Sequence, residues 1–302
     1  MISPLVECIP NFSEGKRPEV IEQIRDEIAA VPDVYVLNTH MDGDHNRSVI
    51  TFVGNPAGVE EAAFRMIAKA AELIDMESHS GEHPRLGATD VVPFVPISEI
   101  SMEDCIAMAH RLGERVGKEL EIPVYFYEQA ALRPERKRLE KVRKGEYEAL
   151  KKEISKVPER EPDQGPKKVG KAGATIIGAR EFLIAYNVYL TTDDESIADK
   201  IAKTVRHSSG GLRFVKALGM LVDGQAQVSM NLTNFKKTSL AFVVETIRRE
   251  ARRYGVQISH SELVGLIPQA ALVDASVWYT QMDMFEPDQV LETRLYAALA
   301  EE

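Results

Sequence analysis

The middle of the chain limits the possible folds most strongly. Residues 128–168 are densely charged and interrupted by prolines, whereas the segments before and after them carry regular apolar patterns. Within this stretch, residues 133–143 have the charge spacing of a solvated helix, and residues 158–166 have the composition of a linker or a long loop. A chain of 302 residues is long enough for two ordinary domains. We therefore expect two halves, residues 1–172 and 173–302.

The first half alternates strand and helix patterns. Short runs rich in β-branched and aromatic residues predict strands, and longer runs with apolar residues at helical spacing predict helices. Ser101 has the features of a helix N-cap. Pro93 and Pro96 favour a position at a sheet edge or a bulge for the strand that contains them. The predicted strands are 5–9, 34–37, 48–53, 90–97 and 124–127, and the predicted helices are 18–30, 57–74 and 102–120.

The second half repeats this organisation. Its strands are predicted at 182–190, 215–222 and 226–232, and its helices at 194–204 and 240–254; residues 259–262 lead to a further strand and turn at 263–268. The similar order of elements in the two halves is compatible with an old structural duplication. The pattern indicates an α+β fold with mixed sheets covered by helices.

Composition narrows the class of protein. A net charge of −10 argues against nucleic acid as the main partner. The two cysteines, Cys8 and Cys105, lie in apolar contexts and suggest no disulfide framework. We see no signal peptide and no apolar run long enough to span a membrane, so we expect a cytoplasmic protein without membrane partners.

The segment from His79 to Gly87 is the best candidate for a functional loop. It combines two imidazoles, a carboxylate and a guanidinium with glycines and a proline, and such groups usually act from loops on a rigid scaffold. The H-x-x-E-H spacing also matches a zinc motif, but Gly81 and Pro84 disfavour the helix that this motif requires. His83 is the better candidate for a general acid or base. A surface turn with solvated histidines is the alternative.

Five segments together carry a family resemblance. In order along the chain they read VECIPNFSEG (6–15), NRSVITFVG (46–54), GEHPRLGA (81–88), GATIIGAREFLIAYN (173–187) and LVGLIP (263–268). With them the chain resembles the transferase part of the formiminotransferase family across nearly its whole length. The resemblance implies two ferredoxin-like α/β subdomains, a folate-binding tunnel between them and a homodimer.

The resemblance also implies a reaction. The family transfers the formimidoyl group of N-formimidoyl-L-glutamate to N5 of tetrahydrofolate and releases glutamate, a step of histidine degradation. Tetrahydrofolate is then the co-substrate, and no metal is expected. The family's catalytic histidine corresponds to His83. Its folate-contacting loop corresponds to ten residues here, Gln164, Gly165, Pro166, Lys167, Lys168, Val169, Gly170, Lys171, Ala172 and Gly173.

The remaining candidates follow from the charge of the substrates. Both substrates are anionic, and arginine forks suit carboxylates. The arginines inside the matched segments are therefore candidate anion-binding residues, although each is also compatible with a structural ion pair: Arg47, Arg85 and Arg180. Lys167, Lys168 and Lys171 suit the folate tail, or a solvated loop.

Three further side chains have two interpretations each. Glu82 either orients His83 or lies at the surface. Asn11 either donates a hydrogen bond to a substrate or forms an Asx-turn. Some family members have an aspartate where His40 stands here, which leaves the carboxylate partner of His83 open. Asp42 is a candidate to replace that aspartate, and it is also a candidate to bind substrate in the same cleft.

Three alternatives to formimidoyl transfer remain open at this point. A glutamate formyltransferase that uses 5-formyltetrahydrofolate would make similar chemical demands. A non-catalytic folate-binding protein could share the fold. A small zinc hydrolase would use the H-x-x-E-H segment.

Overall fold

The computed structural model describes residues 4–81 and 83–300. It divides into two compact units, Met1–Arg180 and Glu181–Glu302. The first unit contains β1 (Leu5–Cys8), β2 (Asn11–Phe12), α1 (Pro18–Ala29), β3 (Val34–Asp42), β4 (Arg47–Gly54), α2 (Pro56–Leu73), β5 (Thr89–Ser98), α3 (Met102–Glu119), β6 (Val124–Glu128), α4 (Leu139–Val142), α5 (Glu146–Glu153) and β7 (Thr175–Ala179).

The first sheet has a ferredoxin-like centre. Strands β3, β4, β1 and β5 lie side by side in that order with antiparallel pairing, and β2 continues β1 between β4 and β5. Strands β7 and β6 extend the sheet beyond β5 in parallel. Apolar faces of α1, α2 and α3 pack against this sheet and form its core. The capping box of Ser101 and Asp104 at the start of α3 confirms the predicted N-cap.

The second unit has the same topology. It contains β8 (Ile184–Leu190), α6 (Glu195–Val205), β9 (Val215–Val222), β10 (Gln225–Leu232), α7 (Leu240–Arg253), β11 (Ile258–Val264), α8 (Gln269–Thr280) and α9 (Leu291–Ala300). Its strands lie in the antiparallel order β11, β8, β10, β9. The predicted similarity between the halves is therefore confirmed at the level of topology, together with the predicted fold class. Helices α5, α8 and α9 and strands β2 and β7 were not predicted.

Two of the sequence predictions about the first unit need correction. Strand β5 is not at an edge, because β1 and β2 pair with one side of it and β7 with the other. The proline signal marks a bulge instead: Leu5 pairs with Ser98 and Val6 with Pro96, which leaves one extra residue on β5. Residues 133–143 form a short 3₁₀ turn and α4 instead of one solvated helix.

The charged middle segment is also not a linker. Arg136 is 3% exposed, and its Nη1 lies 2.6 Å from Oδ1 of the buried Asp163. Tyr147 and Leu150 of α5 are buried in the core of the first unit. Because β7 completes the first sheet, the two units meet at residue 180, later than the predicted boundary at residue 172.

No helix in the described part of the chain is long and apolar enough to cross a membrane.

Candidate active site

The loop that carries His83 connects α2 to β5 and is fastened to the segment before β7. Ala88 donates its N–H to the carbonyl of Ala172 at 2.8 Å, and Ala174 donates to the carbonyl of Leu86 at 3.0 Å. At this contact Gly87 faces Gly173, and a Cβ on Gly87 would lie 2.4 Å from the carbonyl oxygen of Ala174. The glycines of two sequence motifs are therefore required by one close backbone approach.

This contact brings the predicted folate loop next to the His83 loop. Lys171 also accepts a hydrogen bond at its carbonyl from the N–H of Met76 at 2.8 Å. The start of the folate loop pairs with β6, where Val124 donates its N–H to the carbonyl of Gln164 at 2.9 Å. Lys167, Lys168 and Lys171 are exposed, and Lys167 forms an ion pair with Glu161. The structure thus brings the predicted folate loop close to the His83 loop. Of its three lysines, Lys167 already has an ion-pair partner in Glu161.

His79 has a structural role in the loop. Its Nε2 lies 3.1 Å from the carbonyl of Asn46, and its Nδ1 lies 3.2 Å from Nε of Arg85. Because a carbonyl only accepts and a guanidinium only donates, Nε2 carries the proton and Nδ1 accepts. Burial, followed by the charge of Arg85, lowers the pKa of His79. In this neutral tautomer both ring nitrogens of His79 take part in hydrogen bonds.

Arg85 is an ion-pair anchor. Its guanidinium is 5% exposed and bonds to Glu146 at 2.7 Å and to Glu148 at 2.9 and 2.7 Å. It also donates to the ring and the carbonyl of His79 at 3.2 and 3.4 Å. These bonds use all the N–H donors of an arginine. Of the two interpretations of Arg85, the geometry matches the structural ion pair, which ties α5 to the loop.

Arg47 behaves differently. It stands at the start of β4, where its Nη1 donates to Oδ1 of Asn11 at 3.0 Å and lies 3.5 Å from Nε2 of His83. Its Nε is buried without a hydrogen-bond partner among the described residues. Asn11 in turn donates its amide to the carbonyl of Ile9 at 3.3 Å, so its side chain positions Arg47. The narrow cleft beside these groups is lined by Asn11, Phe12, Ser13, Asn46, Arg47, His79, His83, Arg85 and Asp90.

The surroundings of His83 favour a neutral imidazole. Burial is the main cause that lowers its pKa to about 2, and the positive charges of Arg143 and Arg47 add to the effect. A neutral ring at working pH can accept a proton, which is the property required of a general base.

Arg143 is the functional candidate that the sequence analysis missed. It follows α4 in the charged middle segment and forms a short ion pair with Asp90, a buried residue that lines the cleft. Its Nε is buried without a hydrogen-bond partner in the described part of the chain. The only sequence signal was its place in a charge-dense stretch, which indicated a solvated position.

Asp42 is held by its own turn. It bonds to the ring of His45 at 2.7 Å and accepts the N–H groups of Asp44 and His45 at 3.0 Å each. Its charge acts on His83 and opposes the lowering of the pKa of that imidazole. Glu82 lies outside the described residues. Among the residues described, no group of three or more His, Cys, Asp or Glu side chains is arranged to hold a metal ion.

Arg180 lies at a different place on the first sheet. Its N–H bonds to the carbonyl of Phe94 at 3.0 Å, and its charge acts on Glu7 and Tyr127. It is not among the residues that line the cleft. Burial raises the pKa of Glu7 to about 7, with Arg180 opposing the shift. Oε2 of Glu7 is buried without a hydrogen-bond partner in the described residues.

Comparison with known families matches both units. A model of the formiminotransferase domain, N-terminal subdomain, matches residues 5–180, and a model of the formiminotransferase domain matches residues 185–293. The chain belongs to the formiminotransferase family. The two matches correspond to the two compact units of this formiminotransferase, each with its own ferredoxin-like sheet.

The formiminotransferase is similar to proteins from distant organisms. It is 50% identical to a glutamate formimidoyltransferase of Thermoplasma acidophilum over 97% of this chain and 98% of that protein. It is 46% identical to a glutamate formimidoyltransferase of Streptococcus pyogenes serotype M1 over 97% of this chain and 99% of that protein. It is 44% identical to a mouse formimidoyltransferase-cyclodeaminase over 92% of this chain and 53% of that protein.

Proposed function

We propose that this formiminotransferase transfers the formimidoyl group from N-formimidoyl-L-glutamate to N5 of tetrahydrofolate and releases L-glutamate. The names of relatives that match along their full length support the reaction. The observation in the structure that carries the proposal is the contact between a neutral His83 imidazole and the partly buried cation of Arg47. The first can move a proton, and the second can hold an anionic substrate.

The chemistry requires one proton to move between two nitrogens. N5 of tetrahydrofolate attacks the formimidoyl carbon and forms a C–N bond, which gives a tetrahedral intermediate. His83 accepts the proton that N5 loses and donates it to the nitrogen of the departing glutamate as the old C–N bond breaks. A single imidazole can serve both steps, and proton transfer of this kind typically contributes about 10² to 10⁴ in rate.

The folate loop takes the second substrate in this proposal. Gln164–Gly173 contacts tetrahydrofolate, and exposed Lys168 and Lys171 attract the carboxylates of its tail. The hydrogen bonds that join this loop to Leu86 and Ala88 support the assignment, because they hold it beside the His83 loop. Holding both substrates in one place supplies further rate enhancement by proximity.

The remaining expectations from the sequence belong to this proposal. The enzyme acts in histidine degradation in the cytoplasm, as a homodimer, with tetrahydrofolate as co-substrate and without a metal. Light scattering of the purified protein tests the dimer, and activity after chelation tests the absence of a metal requirement.

The direct experiment identifies the product. The purified chain is incubated with tetrahydrofolate and N-formimidoyl-L-glutamate, and mass spectrometry follows L-glutamate and 5-formimidoyl-tetrahydrofolate. We expect both products in equal amounts, and neither when one substrate is omitted. Turnover only of N-formyl-L-glutamate or 5-formyltetrahydrofolate would establish the formyltransferase alternative. Folate binding without any turnover would establish the non-catalytic alternative.

A further inference from the structure

Two partly buried arginines, Arg47 and Arg143, lie close to the carboxylate of Asp90, which lines the cleft. Arg143 is paired with Asp90, whereas Arg47 has no ion pair with any described carboxylate and bonds to the neutral side chain of Asn11. The two arginines are close enough for the charge of Arg143 to lower the pKa of Arg47, after the larger effect of burial. Each keeps its buried Nε without a hydrogen-bond partner in the described residues.

Desolvation of a guanidinium group without a direct counter-charge costs free energy in the folded state. A buried charge needs a counter-charge or hydrogen bonds that replace its hydration. Asp42 and Asp90 both act on Arg47 by their charge, but Asp42 bonds to His45 and Asp90 is paired with Arg143. A bound carboxylate would supply the direct counter-charge that Arg47 lacks among the described residues. Guanidinium groups recognise carboxylates through such planar, charge-assisted hydrogen bonds.

We propose that Arg143 is a substrate-binding residue, which together with Arg47 holds one carboxylate of the amino-acid substrate beside His83. This assignment rests on the proposed function for the identity of the substrate, a dicarboxylate derived from an α-amino acid. Asp90 positions Arg143 through their ion pair, and the Leu86 N–H fixes Asp90 from the other side at 2.8 Å. Arg85 takes no part, because its donors are already used.

A carboxylate bound at Arg47 and Arg143 would also change the pKa of His83, the proposed base. Arg143, Arg47 and His45 act on His83 with positive charge, and Asp42 opposes them. The cleft also contains His79, Arg85 and Asp90, of which His79 is neutral and Arg85 is paired with Glu146 and Glu148. A carboxylate between Arg47 and Arg143 offsets the two charges that most weaken the imidazole. The pKa of His83 therefore rises when the substrate binds, and the base becomes stronger only in the occupied site.

Glutarate, a dicarboxylate without a reactive group, is the probe for the experiment. Its affinity is measured by calorimetry for the wild type, Arg143→Met, Arg143→Lys and the control Arg138→Met, which removes an exposed arginine of the same segment. We expect Arg143→Met to weaken binding about 10- to 100-fold, the cost of a charged hydrogen-bonded pair. Arg143→Lys should restore part of the affinity, and Arg138→Met should change nothing.

The second readout is the titration of His83 by NMR, assigned with His83→Gln. We expect glutarate to raise its pKa by at least about one unit in the wild type and by less in Arg143→Met. Because Arg143→Met leaves Asp90 unpaired, the double variant Arg143→Met/Asp90→Asn removes one positive and one negative charge, which keeps the net charge of the site, and it keeps an oxygen that can accept the Leu86 N–H. Folded Arg143→Met or double variants that bind glutarate within about twofold of the wild type would overturn the proposal.

Steady-state kinetics separate this inference from the proposed function. In Arg143→Met we expect a higher KM for N-formimidoyl-L-glutamate and an unchanged KM for tetrahydrofolate. If the wild type binds glutarate through Arg143 but transfers no formimidoyl group, the proposed function fails and the carboxylate site stands. If the wild type is an active transferase and Arg143→Met binds both glutarate and the substrate normally, the inference alone fails.

Discussion

Nη1 of Arg47 lies 3.5 Å from Nε2 of His83. Burial is the main cause that favours the neutral form of the imidazole, and the positive charges of Arg143 and Arg47 add to it. In the proposed function the Arg47 guanidinium, which disfavours protonation of the free base, also holds the anionic substrate. Substrate binding and proton transfer would then be coupled through one side chain.

Removal of the imidazole should abolish most of the turnover but not folate binding. We expect His83→Ala to lower kcat about 10²- to 10⁴-fold, the usual contribution of a general acid–base group. Equilibrium binding of tetrahydrofolate should be nearly unchanged. His260→Ala is the matched control, because this exposed histidine stacks on Tyr189 in the second unit. Near-normal kcat in His83→Ala would refute the acid–base role.

Arg85 should contribute to stability. Arg85→Ala removes its bonds to Glu146, Glu148 and His79, and a hydrogen bond to a charged group typically contributes about 1.5–3 kcal/mol. We expect a lower free energy of unfolding in chemical denaturation. Glu148→Gln, which weakens one ion pair only, should produce a smaller loss. An Arg85→Ala protein as stable as the wild type, but unable to bind N-formimidoyl-L-glutamate, would instead show that Arg85 binds substrate.

The arginines show where sequence information ends. The motifs placed Arg47, Arg85 and Arg180 in the set of candidates, and the structure gives each a different environment. Arg85 is saturated by carboxylates 61 and 63 residues further along the chain, a pairing that depends on the packing of α5 and has no local signal. Arg143 was missed for the same reason: a charged stretch has the same composition whether it is solvated or folded against a cleft.

The order of the strands and helices along the chain was predicted better than which strands lie side by side in the sheet. Apolar periodicity and N-cap chemistry are local properties, so the order of strands and helices before the charged segment was predicted correctly, except for the two-residue β2, which was predicted as a turn. The prolines of β5 predicted an edge or a bulge, and the structure has the bulge. They could not decide between the two, because they indicate a missing donor without showing which strands lie beside it. Strand β7 was missed since the glycine-rich motif that contains it lies close to the predicted boundary.

Glu7 should make stability depend on pH. Its folded-state pKa of about 7 is above the ordinary value of 4.5, so the folded state binds the proton more tightly than the unfolded state. Its contribution is fully present below pH 4.5 and is lost as the pH rises through about 7. Glu7→Gln removes this dependence. We expect the stability of the wild type relative to Glu7→Gln to fall between these pH values, by at most about 1.4 kcal/mol per pH unit.

Urea unfolding of both proteins at low, intermediate and neutral pH measures this difference. The control is Glu103→Gln, which replaces an exposed carboxylate in the first turn of α3. A difference between wild type and Glu7→Gln that is the same at every pH would contradict this account, because it would show that the pKa of Glu7 is the same in the folded and the unfolded state.

The exposed lysines should act on the folate tail. We expect Lys168→Ala/Lys171→Ala to weaken binding of polyglutamylated tetrahydrofolate more than that of the monoglutamate, by about two- to tenfold for exposed charge pairs. Added salt should reduce the difference, because exposed charges are screened over about 10 Å at 0.1 M. Lys167→Ala is the control with a smaller expected effect, since Lys167 is already paired with Glu161. Equal losses for both ligands would place the lysines outside the path of the tail.

The pH dependence of kcat/KM for N-formimidoyl-L-glutamate tests the central claim most directly, because it reports ionisations of the free enzyme. With the pKa of free His83 at about 2, the imidazole stays neutral, and kcat/KM should change less than about twofold between about pH 8 and pH 5.5. A base with the ordinary pKa of 6.5 would instead be about nine-tenths protonated at the lower pH. A tenfold fall in kcat/KM with a midpoint near 6.5 would therefore contradict the claim that His83 is held neutral for proton transfer.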